Sequence, residues 1–211
     1  PDRILFAAGD GRLYQHRLGG PDEADDLDAN PLTPIAFDES LGWEEPPYLN
    51  EPHWPAPLTD RRVIFVTLSL RSPGAIRFDT PAIWWLRLDE AGDRVIEAGR
   101  LTTAVYDVDG VAAEEYRSAC FDGPDGSPRL LYESRQDGQS PWQLRVAEVS
   151  TDPSTARPSA GPSRRISEDV LSGVHLLSPD GLSVYSIFHP WGFDPRVRKV
   201  PFAMPATLTV R

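Results

Sequence analysis

The sequence predicts an all-β chain made of about four repeated antiparallel units. Three observations lead there. The apolar runs are strand-length and rich in β-branched and aromatic residues. Turn residues separate them, with 22 prolines and 16 glycines among 211 residues, more punctuation than a helical chain carries. No stretch repeats its apolar residues at the helical period.

The strands are predicted in pairs. "RILFAA" (3–8) turns through "GDG" into "RLYQHRL" (12–18). "RRVIFVTLSL" (61–70) is apolar on both faces at its centre, as a strand buried between two layers should be. It leads into "AIWWLRL" (82–88), in which adjacent Trp84 and Trp85 must face opposite sides. "RLLYES" (129–134) leads into "WQLRVAEV" (142–149), and "LSVYSIF" (182–188) into "RVRKVPF" (196–202). The second strand of each pair is expected to alternate, half-buried. Residues 39–57, rich in Pro and Trp, cannot form a long helix, and residues 150–163 ("STDPSTARPSAGPS") read as a mobile low-complexity loop. Residues 21–30 read as an acidic loop.

Laid over one another, the pairs show a repeat. A Pro-Asp-Gly turn recurs as "SPDG" (178–181) and "GPDG" (123–126), and degenerately as "PLTD" (57–60). Proline presets φ, Asp closes a local turn, and Gly takes the positive φ that returns the next strand antiparallel. A closing element recurs as "PLTP" (31–34), "RLTT" (100–103) and "RRIS" (164–167). These residues resemble the TolB-like, WD40-like (PD40) β-propeller repeat, most closely in "LLSPDGLSVYSIF" (176–188) and in residues 82–102. The resemblance implies a single propeller domain over 1–211, with antiparallel four-stranded blades at about 1–42, 43–109, 110–170 and 171–211. The first unit starts at its second strand. That fits a ring closed by the two chain ends, and equally an incomplete array cut from a larger propeller.

Composition narrows the function. The net charge is −11, from 21 Lys and Arg against 32 Asp and Glu. Such a surface repels phosphate backbones and anionic headgroups, which argues against nucleic acid and polybasic membrane docking. Cys120 is alone, so no internal disulfide and no cysteine metal cluster can form. No apolar run reaches the ~18–20 residues of a membrane span. Pro1, in place of a methionine, leads to the expectation of a processed chain with a signal peptide or anchor upstream.

No catalytic role is expected. There is no Gly-x-Ser-x-Gly, and His16, His53, His175 and His189 are scattered without a zinc spacing. Asp26, Asp28 and Asn30 alternate like the start of an EF-hand loop. Pro31 and Phe37 then stand where Gly and Glu are required, leaving Asp26 and Asp28 as candidates only for a looser Ca²⁺ site. Trp43, His53, Trp54, His189 and Trp191, in two Trp/Pro-rich loops, are the candidate interaction face. Packing at sheet corners is the competing role for these residues.

The expectation is therefore a non-catalytic protein-binding scaffold or accessory subunit. It would need no cofactor and no metal. It would bind protein partners, as part of a periplasmic or other extracytoplasmic, membrane-associated assembly. The alternatives are a propeller hydrolase or lyase with a funnel site using His189 or His53, and a small-ligand or Ca²⁺ module.

Overall fold

The computed structural model describes residues 3–17, 32–43, 46–53, 62–71, 79–102, 105–106, 111–112, 114–123, 126–135, 142–170, 175–178, 183–188 and 196–201. Among them the chain is all-β, with a single 3-10 turn at Glu39–Leu41 and no α-helix. No helix there is long and apolar enough to cross a membrane.

Four sheets follow one another along the chain. The first runs β1 (Arg3–Ala7), β2 (Leu13–Arg17), β3 (Thr33–Pro34), all antiparallel. β4 (Ala36–Phe37) then crosses to the second sheet and pairs in parallel with the far edge of an antiparallel meander. That meander is β5 (Tyr48–His53), β6 (Val63–Ser69), β7 (Ala82–Leu88) and β8 (Arg94–Arg100), in spatial order β4-β8-β7-β6-β5. A minor ribbon of β9 (Val105–Tyr106) and β10 (Val111–Ala112) follows. The third sheet holds β11 (Glu114–Asp122), β12 (Pro128–Arg135) and β13 (Trp142–Thr151). Both β14 (Pro158–Ala160) and β15 (Arg164–Val170) pair with β13. The fourth is β16 (His175–Leu177), β17 (Ser183–Phe188) and β18 (Arg196–Pro201). Among the described residues the main sheets thus have three, five, five and three strands rather than a uniform four.

Three apolar clusters join these sheets. Leu5, Leu13 and Ile35 from the first sheet's side pack with Leu49, Ile64, Val66, Leu68, Leu86, Leu88 and Val95 of the second. The opposite face of the second sheet, with Val63, Phe65, Ile83 and Trp85, packs with Leu130, Tyr132 and Val149 of the third. The other face of the third sheet, with Phe121, Leu131, Leu144 and Val146, packs with Val184 of the fourth. Successive residues of β6 therefore enter different cores, and all seven are buried. This is why its first four residues, Val63–Val66, are continuously apolar instead of alternating. The expectation of a half-buried, alternating partner fails for β7 on the same ground. Trp84 packs on the first cluster and Trp85 in the second, and six of its seven residues are buried.

Turns follow the residue chemistry where they are described. Ser178 is tied to Ser183 through its side chain. Its Oγ donates to the Ser183 carbonyl (3.0 Å) and accepts from the Ser183 N–H (2.9 Å). Gly126 takes φ +76° and donates to the Gly123 carbonyl at 2.8 Å. Within the stretch 150–163, expected to be a mobile loop, residues 152–157 form the turn of a hairpin that pairs β13 with β14. Asp152 Oδ1 accepts from the Ser154 N–H (2.7 Å) and the Thr155 N–H (3.1 Å). The tip is tied to the second sheet. Arg157 Nε lies 2.6 Å from Glu97 Oε1, and Arg87 reaches both Glu97 (3.0 Å) and the Ala156 carbonyl (2.5 Å). Burial opposes the ionisation of Glu97, but Arg157 and Arg87 outweigh it and lower its pKa.

Candidate binding site

The segment joining the first two sheets builds a cleft. β4 is fixed by the Ala36 N–H donating to the Asp93 carbonyl (3.0 Å), and just beyond it the Asp38 N–H donates to Val95 (2.9 Å). Asp38 then caps the 3-10 turn. Its backbone is extended, and Oδ1 accepts from the Ser40 N–H at 3.0 Å. Gly42 ends the turn at φ +69°, a left-handed conformation that disfavours side chains, and donates to the Glu39 carbonyl at 3.0 Å. That reversal folds Trp43 back onto the sheet. Its ring lies 5.4 Å from Phe37 and 6.0 Å, edge to face, from Trp84. These spacings and tilts are the ones aromatic pairs prefer.

The result is a cleft of about 380 Å³ whose lining includes Trp43, Phe37, Pro46, Pro47, Arg12 and Glu39. Trp43 is half-buried and packs on the first apolar cluster. Asp38 pairs with Arg94 at 3.3 Å. Its bonds from Ser40, together with Arg94, hold its carboxyl below the usual range.

The other polar concentration lies between the second and third sheets. Glu115 is fully buried on β11. Its Oε2 accepts from the Ile83 N–H (3.1 Å) and from the Thr102 hydroxyl, and its own N–H donates to the Pro81 carbonyl (3.0 Å). Burial pushes its pKa up against the lowering effect of those bonds. With no exposure to solvent, this group bolts two sheets together and has no access to a substrate. Cys120 is likewise inert, because burial pushes its thiol to about 12.

Of the residues expected to act, Trp43 lies in the cleft. His53 ends β5, opposite Phe65 in register, and its side chain lies outside what the structure describes. Trp54, His189, Trp191, Asp26 and Asp28 lie outside the described residues. Among those described, no group of three or more His, Cys, Asp or Glu is placed to hold a metal ion. Sequence reasoning missed Phe37, Glu39 and Arg12 as partners of Trp43. The one legible signal was the Asp-x-x-x-Gly frame of residues 38–42, which marks a capped turn before the tryptophan.

Among the described residues, fold and cleft together define face-packed, mostly antiparallel β-sheets with an aromatic-lined recess. No family model and no curated protein matches the sequence. Among solved structures, the chain is similar to an endo-arabinase from Bacteroides thetaiotaomicron VPI-5482, at 14% identity and a TM-score of 0.47, over 96% of this chain and 75% of that one. It is also similar to an endo-1,4-beta-xylanase from the same organism, at 14% identity and a TM-score of 0.39, over 78% of this chain and 60% of that one. Likeness at this level carries no inference about activity.

Proposed function

We propose that this chain is a non-catalytic protein-binding scaffold or accessory subunit, built as a propeller-like array and working in an extracytoplasmic assembly. The array reading is supported by the three apolar clusters, which seat each sheet face to face against the next. It is also supported by the Ser-Pro-Asp-Gly turns that resemble the TolB-like repeat. Four such sheets would stand at the low end of the roughly four to eight blades that propellers use.

The observation that carries the binding role is the Trp43 cleft. The Trp43 ring follows directly on a capped turn and packs against Phe37 and Trp84. Rigid, half-exposed aromatic anchors are what protein-binding surfaces concentrate. The test is a native mass measurement on the chain recovered gently from the cells that make it. A stoichiometric complex with another protein is expected. A strictly monomeric chain would overturn the reading.

A further inference from the structure

We propose that a buried water molecule is bound between the second and third sheets, held by Glu115, Thr67 and Ser134. All three side chains are fully buried. Each carries an oxygen with no protein partner among the described residues: Glu115 Oε1, Thr67 Oγ1 and Ser134 Oγ. Strand register brings them together. Glu115 and Ser134 are directly opposed across β11 and β12, which sets their Cβ atoms about 4.5–5.5 Å apart on one face. Tyr132, two residues before Ser134, packs in the cluster between the second and third sheets, so this face is turned to the second sheet. Glu115 Oε2 accepts from the Ile83 N–H at 3.1 Å. Thr67 is directly opposed to Ile83 across β6 and β7, on the face of β6 that sends Val63 and Phe65 into the same cluster.

The side chains around the carboxyl change in the same direction on both sheets. This face of β12 runs Leu130, Tyr132, Ser134, and that of β6 runs Val63, Phe65, Thr67, Ser69. Both rows step from large apolar groups to small hydroxyls. Buried polar groups in native proteins are nearly always partnered, by protein or by ordered water. A carboxyl oxygen and two hydroxyls suit a molecule that both donates and accepts. Buried waters hold about three bonds each, to groups otherwise unmet. Charge decides against an ion. Arg100, whose Nε donates to the Thr102 carbonyl at 2.9 Å, and Arg145 already act on Glu115 as positive charges. A cation would be opposed by them, and an anion would meet the Glu115 carboxyl itself.

The test is oxygen-17 magnetic relaxation dispersion on the full chain, which counts the waters held inside a protein. The double variant Thr67→Val, Ser134→Ala should hold one long-lived water fewer than the parent. Melting temperatures give a second reading with a sign. Thr67→Val and Ser134→Ala should each melt below the parent, because each takes a bond from the water. A hydroxyl with no partner at all behaves oppositely, since an apolar group of the same shape then leaves stability unchanged or raises it. The inference is overturned if parent and double variant hold equal numbers of waters, or if both single variants melt at or above the parent. It is also overturned if sodium or calcium chloride raises the parent's melting temperature over choline chloride of equal ionic strength and Glu115→Gln removes the rise. The occupant would then be a cation. Should the double variant fail to fold, a high-resolution crystal structure of the parent decides. A density peak within hydrogen-bond distance of Glu115 Oε1 and one of the hydroxyls supports the water, and no peak there overturns it.

Discussion

At Glu115 a single buried carboxyl ties stability to pH. Its folded-state pKa is raised by burial, so the protonated form is the one the fold favours. The stabilisation is complete below the ordinary carboxyl range and is lost as pH rises through the raised value. Glu115→Gln keeps an acceptor for the Ile83 N–H and the Thr102 hydroxyl without a charge to bury. It should flatten that pH dependence, raising the melting temperature at neutral pH relative to the parent. Glu115→Ala leaves the Ile83 N–H unpaired at a buried junction and should cost about 1–3 kcal/mol in denaturant unfolding. Ala156 makes the opposite case. It holds φ +55° without being glycine. Ala156→Gly relieves a left-handed backbone and should gain about 0.5–1 kcal/mol, read as a small rise in melting temperature. Neither residue was legible. Only the third dimension brings Glu115 against Ile83.

At the scale of elements, β6 was readable because both its faces are apolar, and it indeed feeds two cores. Phe65→Ala, emptying the cluster between the second and third sheets, should cost about 3–5 kcal/mol by equilibrium unfolding. Gly99 in β8 lies directly under Trp85. A Cβ there would stand 2.7 Å from the indole nitrogen. Gly99→Val should therefore displace Trp85 and destabilise the same interface, with a visible change in near-ultraviolet circular dichroism. β5 and β11 escaped sequence reading for opposite reasons. β5 contains Pro52, which an interior strand would not tolerate, but β5 is the edge of its sheet. β11 is polar at its start and carries a register break between Tyr116 and Ala119, so it shows no clean alternation. The hairpin at 152–157 was hidden by its Pro/Ser/Ala composition. Its order comes from Asp152 and from the Glu97 ion pairs, which link residues about sixty apart.

Across the whole molecule, the all-β class was the most legible feature, because strand-length apolar runs between Pro and Gly turns leave no helical period. The cleft was legible only through Trp43. Its depth depends on β4 crossing from one sheet to pair with the next, a long-range event that residues 36–37 do not announce. As proposed, the face centred on Trp43 receives a partner while the sheets behind it keep their structure. Amide hydrogen exchange on the full chain, alone and in its native complex, tests this most directly. Strong protection of β6, β7 and β12 is expected in both states, with new protection on binding at residues 35–43. Protection gained instead around residues 189–191, or no change at 35–43 in the complex, would contradict it.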